Sequence, residues 1–215
     1  MSNDPTEWVA EKLVAKEYME VLGRTAEGFL LVKSPKTGYT FSVAVLGVRG
    51  VIQPSDVAPL FGGVNKPQFV MNVPSMSLWS GAAIDLVHAA GTAFGKLGDI
   101  ARAASTGDAG SFRDKNMGFF INAMEQHRNV SHVSYVFDTV FKAVRDSGSS
   151  LVVAVIEAYH MSAEDVRNAR ARVGHFDIVV KSSSYGSITD QAQAAANSMG
   201  AEALAFGELM SRLHK

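Results

Sequence analysis

The run Leu151-Val-Val-Ala-Val-Ile156 has no polar residue on either face. A strand wetted on one side alternates polar and apolar residues, so a strand apolar throughout has to be covered on both sides. The chain after Met117 supplies the covers. Met117–Ala123 is patterned as a strand, Val130–Arg145 as an amphipathic helix, Leu151–Ile156 as a strand and Ser162–Val173 as a helix. Phe176–Val180 and Glu202–Phe206 are again strands, followed by helices over Thr189–Met199 and Glu208–Leu213. Four βα units predict a three-layer α/β/α arrangement with a largely parallel sheet in the C-terminal half. The units share alternation but not sequence, so no internal repeat is expected.

The first half is less regular. Thr6–Leu22 reads as a helix, with Val9, Leu13 and the Val21/Leu22 pair on one face and Gly23 as its stop. Phe29–Lys33 and Tyr39–Leu46 flank Ser-Pro-Lys-Thr-Gly, which predicts a hairpin. Residues 47–66 form a connection with a helical turn at Ser55–Leu60, and Gln68–Val73 is a short strand. Between Leu78 and Ala104, Ile84, Val87, Ala90, Phe94, Leu97, Ala101 and Ala104 keep helical spacing. One long helix is expected there, interrupted by Gly91, Gly95 and Gly98, where another backbone approaches closely or the helix kinks. Residues 105–116 read as an exposed loop. The expected organisation is a single α/β domain over 1–215. It comprises an N-terminal helix and β-hairpin (1–66), a strand, long helix and loop (67–116), and the βα units (117–215).

Composition closes several routes. Lys and Arg number 20 against 21 Asp and Glu, a net charge of −1, which excludes a generally basic surface but not a local patch. The chain has no cysteine, which removes disulfides, a thiol nucleophile and Cys-ligated metals. No H-E-x-x-H, no P-loop, no Rossmann fingerprint and no G-x-S-x-G occurs, and no metal site is expected. The N-terminus lacks a basic segment followed by an apolar one. Leu78–Ala104 carries Asp85, His88, Lys96, Asp99 and Arg102, each costly inside a bilayer. A cytoplasmic protein with no membrane segment is the expectation.

In a parallel sheet, the loops leaving the C-terminal strand ends share one rim, where ligands bind. The expected rim collects Glu125 with His127 and Arg128, then Glu157, Tyr159 and His160, then Lys181, Ser182, Ser183, Ser184, Tyr185 and Gly186. The Lys181–Thr189 loop joins a buried strand to a helix N-terminus. Its hydroxyls, backbone N–H groups and the helix dipole could hold a phosphate, with Gly186 providing a turn.

The last third of the chain also carries a sequence of elements. Val153–Ile156 leads into Glu157-Ala158-Tyr159. Ile178-Val-Val-Lys-Ser-Ser-Ser-Tyr-Gly-Ser-Ile-Thr189, Gln191-Ala-Gln-Ala-Ala-Ala196 and Ala203-Leu-Ala-Phe-Gly-Glu-Leu209 follow. This order resembles restriction-endonuclease-like domains of the Mrr type. There an apolar strand, joined by a hairpin to the strand before it, ends in Glu/Gln-x-Lys. A helix, a strand with a Ser/Thr-rich turn, a helix of small residues, a short strand and a helix come next. The resemblance implies a nuclease fold with Glu157 as its matching catalytic position and Mg²⁺ as cofactor only if nuclease chemistry is retained. Tyr159 stands at the lysine position, and with Val130–Arg145 read as a helix no preceding strand offers an Asp.

Three functions follow as expectations. The first is a non-catalytic or catalytically degenerate restriction-endonuclease-like or Rossmann-like protein acting through a protein partner or nucleic acid. The second is a binder or enzyme for a phosphorylated small molecule or nucleotide at the 181–189 loop. The third is a structural subunit that self-associates through the Gly91/Gly95/Gly98 face.

Overall fold

The structure is a computed structural model and describes residues 4–214. Backbone contacts gather the chain into two compact units that divide between Asp114 and Lys115. The single-domain expectation placed a segment boundary nearby, at residue 116.

In the first unit, α1 (Pro5–Ala15) is capped by Asp4, whose carboxylate accepts the Thr6 N–H at 2.9 Å. The helix ends well before Leu22. Glu17 adopts a φ of 55°, and β1 (Glu20–Arg24) follows, with Gly23 inside the strand. The hairpin forms as expected from β2 (Leu30–Lys33) and β3 (Thr40–Leu46). Then come β4 (Val51–Ile52), α2 (Pro54–Val57), a 3₁₀ turn at Ala58–Phe61 and β5 (Phe69–Asn72).

The long helix expected over 78–104 is four elements: β6 (Leu78–Trp79), α3 (Gly81–Ala89), β7 (Ala93–Gly95) and α4 (Leu97–Ser105). Gly91, at φ 72°, turns the chain out of α3. Asp99 restarts a helix by accepting the Lys96 N–H at 2.8 Å. A short buried strand between two helices has carried the helical spacing by coincidence. The three glycines therefore share no helix face, and self-association through such a face loses its basis. Of the expected exposed loop at 105–116, Ala109, Gly110 and Phe112 are buried around a 3₁₀ turn at Ala109–Ser111.

The main sheet of this unit has the order β1-β2-β3-β5-β7, its first three strands antiparallel and the rest parallel. β4 and β6 make a separate two-stranded parallel pair. Val9, Leu13, Phe41, Phe69 and Ile100 form part of its core.

His88 on α3 packs its ring 5.6 Å from Phe94. Burial, and then the charge of Arg113, push its pKa down to about 4. The unfolded chain, titrating near 6.5, therefore binds more protons between about pH 6.5 and 4. Stability should fall as pH drops through that window. The ring is only partly buried, so the loss assigned to His88 by pH 4.5 is about 1–2 kcal/mol after allowance for solvent screening. Denaturant titrations at pH 7 and 4.5 should show that much less acid sensitivity in His88→Asn than in wild type; equal losses would refute the assignment.

The second unit runs α5 (Lys115–Glu125), β8 (Val130–Phe137), β9 (Val140–Arg145), β10 (Leu151–Ile156) and α6 (Ala163–Val173). It continues with β11 (Ile178–Lys181), α7 (Asp190–Ser198), β12 (Glu202–Leu204) and α8 (Phe206–Leu213). From β10 onward the sequence expectation holds to within a few residues. Before it, two assignments are reversed. The strand expected at Met117–Ala123 is helix, with Met117, Phe120 and Met124 buried at helical spacing. The helix expected at Val130–Arg145 is the β8–β9 hairpin. Register shifts at Val130/His132 and Tyr135/Phe137 break its two-residue period. The spacings of three and four that result imitate a helix.

The sheet order is β12-β11-β10-β9-β8. β10, β11 and β12 are parallel, whereas β8, β9 and β10 are antiparallel, so the sheet is mixed rather than largely parallel. Val153 and Val155 of β10 join a cluster with Phe120 of α5 and Leu209 of α8. Ala154 joins another with Val166 of α6 and Ala195 of α7. Both five-stranded sheets thus follow one plan, three antiparallel strands in chain order and then two parallel ones.

Candidate functional site

β10 and β11 are parallel, so the segments after Ile156 and Lys181 leave the second sheet at the same end. β9 runs against β10, which brings the β8–β9 turn to that end as well. The Val155 N–H donates to the Thr139 carbonyl at 2.8 Å. The β9–β10 ladder, continued two residues beyond its last pair, sets Asp138 opposite Ile156. Asp138 is therefore at the same rim as Glu157, with its Oδ1 buried, but on the sheet face of Ala154 and Ile156, whereas Glu157 turns to the α5 face. Sequence reasoning missed it because the residue lay inside an assumed helix. The signal was Asp138-Thr139, a turn pair set in a run rich in valine.

Glu157 is exposed and accepts a hydrogen bond from Asn116 Nδ2, on α5, at 3.2 Å. Lys181 ends β11 opposite Ile156 and is 4% exposed. Its ammonium donates to the carbonyls of Ser183 and Tyr185. The charge thus holds its own loop in shape, and these two bonds take up donors that a phosphate would need.

The hydroxyls of Ser183, Ser187 and Thr189 are engaged by neighbouring protein groups. Ser183 Oγ accepts the Tyr185 N–H at 3.1 Å, and Thr189 caps α7 by accepting the Ala192 N–H at 3.1 Å. The Ser182 N–H donates to the Ile156 carbonyl at 2.9 Å, while Ser184 is exposed. The Ser187 N–H donates to His160 Nδ1 at 3.2 Å, with Ser187 Oγ 3.0 Å from the same nitrogen. A ring nitrogen that accepts a backbone N–H carries no hydrogen, so the neutral ring has its proton on Nε2.

The Met161 N–H donates to the Ser187 carbonyl at 2.9 Å, and the Thr189 N–H to the Met161 carbonyl at 3.1 Å. These bonds staple the two loops together. Gly186, at φ 78°, lies where a Cβ would fall 1.8 Å from the Tyr159 carbonyl oxygen. Tyr159 and Tyr185 stand out from this rim, 63% and 75% exposed, and the His160 ring meets Tyr159 edge-on at 4.7 Å.

His127 and Arg128 do not belong to this group. They follow a helix, not a strand, and precede β8, which runs parallel to β10. They therefore sit at the opposite end of the sheet, where Asn129 Nδ2 donates to the carbonyls of Ser147 and Leu213 at 3.2 and 2.8 Å. Glu125 goes with them. Burial and then the neighbouring His214 hold His127 below the usual imidazole range. Trp79, whose expected role is buried packing rather than stacking on a ligand, is 5% exposed and packs 4.9 Å from Phe94. On α6, Arg170 donates to the Met199 carbonyl at 2.7 Å, whereas Arg167 and Arg172 are exposed.

The rim presents two carboxylates, an imidazole, two exposed phenols and an inward-turned lysine. Asp138 and Glu157 are two of the oxygen donors a Mg²⁺ site needs, but no group of three or more His, Asp or Glu able to hold a metal occurs among the described residues. These two carboxylates alone fall short of a Mg²⁺ coordination set, and Tyr159, two residues after Glu157, carries a phenol and not an ammonium. Among the described residues no helix is long and apolar enough to cross a membrane. In comparisons with known proteins, the chain matches no family model, no curated protein and no solved structure.

Proposed function

We propose that the second unit is a catalytically degenerate restriction-endonuclease-like domain, layered as helices, sheet and helices, and that the protein binds nucleic acid without cutting it. The observation that carries this reading is Asp138, in the turn that leads into β9, at the same rim as Glu157, which directly follows β10. An Asp on the strand before Glu-x-Lys, joined to it by a hairpin, is the arrangement the resemblance requires. The order of elements from β10 to α8 adds support. Tyr159 at the lysine position and the inward engagement of Lys181 argue for binding over cleavage. Exposed Tyr159 and Tyr185 offer π-faces, and the exposed Arg167 on α6 offers charge.

Fluorescence anisotropy with labelled single-stranded and duplex DNA and RNA 30-mers, in Mg²⁺ or Mn²⁺, tests this. Salt-dependent binding with intact oligonucleotides is expected, weakened roughly tenfold in Tyr159→Ala/Tyr185→Ala, since stacking contributes about 1–3 kcal/mol per base. Cleavage that disappears in Glu157→Ala would overturn the degenerate reading. No binding to any of the oligonucleotides would overturn the nucleic-acid reading and leave a protein partner in its place.

A further inference from the structure

We infer that the first unit is a second, diverged copy of the same fold and that its rim, marked by Glu27 and Arg49, is a second contact site for nucleic acid. The site assignment rests on the nucleic-acid reading above; the equivalence of the two copies does not.

The equivalence is visible residue by residue. Residues 72–105 and 181–214 correspond without a gap, each number in the second stretch being 109 higher. β5 and β11, α3 and α7, and β7 and β12 begin and end at matching positions. Small features coincide too. Ser80 accepts the Ala83 N–H, as Thr189 accepts that of Ala192. Gly91 and Gly200 leave their helices at φ 72° and 70°. Asp99 accepts the N–H of Lys96 as Glu208 accepts that of Ala205. Asp56 with Gln53 repeats as Asp165 with Ser162. The Gln68 side chain accepts the Ser42 N–H at 3.3 Å, and its counterpart Asp177 accepts that of Val152 at 2.7 Å. Asn72, in the place of Lys181, is likewise buried and likewise donates to the carbonyl two residues on. A shared strand order alone could arise twice; this many matched caps and side-chain bonds at one spacing point to duplication.

The correspondence extends to the rim. Glu27 lies in the β1–β2 turn, as Asp138 lies in the β8–β9 turn, at the end of the sheet where β3, like β10, finishes. Each of these acids has one buried carboxylate oxygen. Glu27 Oε1 accepts from Asn65 Nδ2 at 2.7 Å, which together with its other hydrogen bonds holds its carboxyl below the usual range. After β3 come Gly47-Val48-Arg49, where β10 is followed by Glu157-Ala158-Tyr159. The two copies have diverged in opposite senses. The second keeps both carboxylates and lacks the cation. The first keeps one carboxylate, already occupied by an amide, and presents an exposed Arg at the lysine position. With Gly47 in place of the second carboxylate, the chemistry left to this rim is the binding of phosphate by Arg49.

Arg49→Glu and Lys36→Glu make the test. Lys36 is an exposed cation in the same unit, on the β2–β3 turn at the opposite end of the sheet, so both variants change net charge equally. Anisotropy with the same 30-mers across a salt series should show affinity falling about three- to tenfold in Arg49→Glu, with the log–log salt slope smaller by about one. Lys36→Glu should stay within about twofold of wild type, and both variants should keep the wild-type melting temperature. Binding that persists unchanged in Arg49→Glu, or falls equally in both variants, would overturn the second site and leave the reading of the second unit intact. No binding by wild type would remove both.

Discussion

Phe141→Ala should lower the free energy of unfolding by about 3–5 kcal/mol, the usual cost of deleting a fully buried phenyl ring. Phe141 is 0% exposed on β9, pairs with Val153 of β10 and lies 5.1 Å from the Tyr135 ring of β8. Urea titration measures the loss. A double-mutant cycle with Tyr135→Ala then separates the hairpin from the alternative. Across a hairpin the two rings touch, and a coupling of about 0.5–1.5 kcal/mol is expected. In a helix, residues six apart point to different sides and would not couple. A coupling indistinguishable from zero would count against the β8–β9 pairing and, with it, the place of Asp138.

That hairpin also marks where the sequence was readable and where it was not. From Leu151 onward, continuous apolar strands, a Ser162/Asp165 capping box and a Thr189 cap each agree with the local structure, so reading and fold coincide. Before Leu151 the periods mislead. Valine and phenylalanine at irregular intervals fit a bulged strand as well as a helix, and β propensity is the only arbiter. The same ambiguity merged α3, β7 and α4 into one helix. The alanines there favour helix, including Ala93 in the strand, and the boundary rests on the backbone of Gly91.

The candidate site followed the same division. Glu157, Tyr159, His160 and the 181–186 loop follow correctly read strands, and the structure brings them together. His127 and Arg128 were attached to a strand that is a helix, so they fall at the wrong end. The duplication stayed hidden for a different reason. Between residues 72–105 and 181–214 only Ser75/Ser184, Ala83/Ala192, Gly91/Gly200 and Gly98/Gly207 are identical. What is retained is hydrogen-bonding role, and Gln for Asp or Lys for Asn can fill one role without resembling each other in sequence.

The stapled loops of the rim give the second large effect, at Gly186→Ala. An alanine at φ 78° costs about 1 kcal/mol on conformational grounds alone. At this position its Cβ would also fall 1.8 Å from the Tyr159 carbonyl oxygen and 2.6 Å from the carbonyl carbon, both main-chain atoms. The main chain has to move, and the bonds that join Met161 to Ser187 and Thr189 are the ones in its way. A total loss of about 2–4 kcal/mol is expected. Gly200→Ala is the matched control: its φ is 70°, and a Cβ there meets nothing within 4 Å, so it should cost only about 1 kcal/mol. Hydrogen exchange adds a local readout, because loosening of the staple should speed exchange of the Met161 and Thr189 amides in Gly186→Ala but not in Gly200→Ala. Equal destabilisation by the two variants would mean that the close approach of Tyr159 to Gly186 contributes nothing. The rim would then be held by turn conformation alone, and Tyr159 and Tyr185 would lack the fixed spacing that stacking on a bound strand requires.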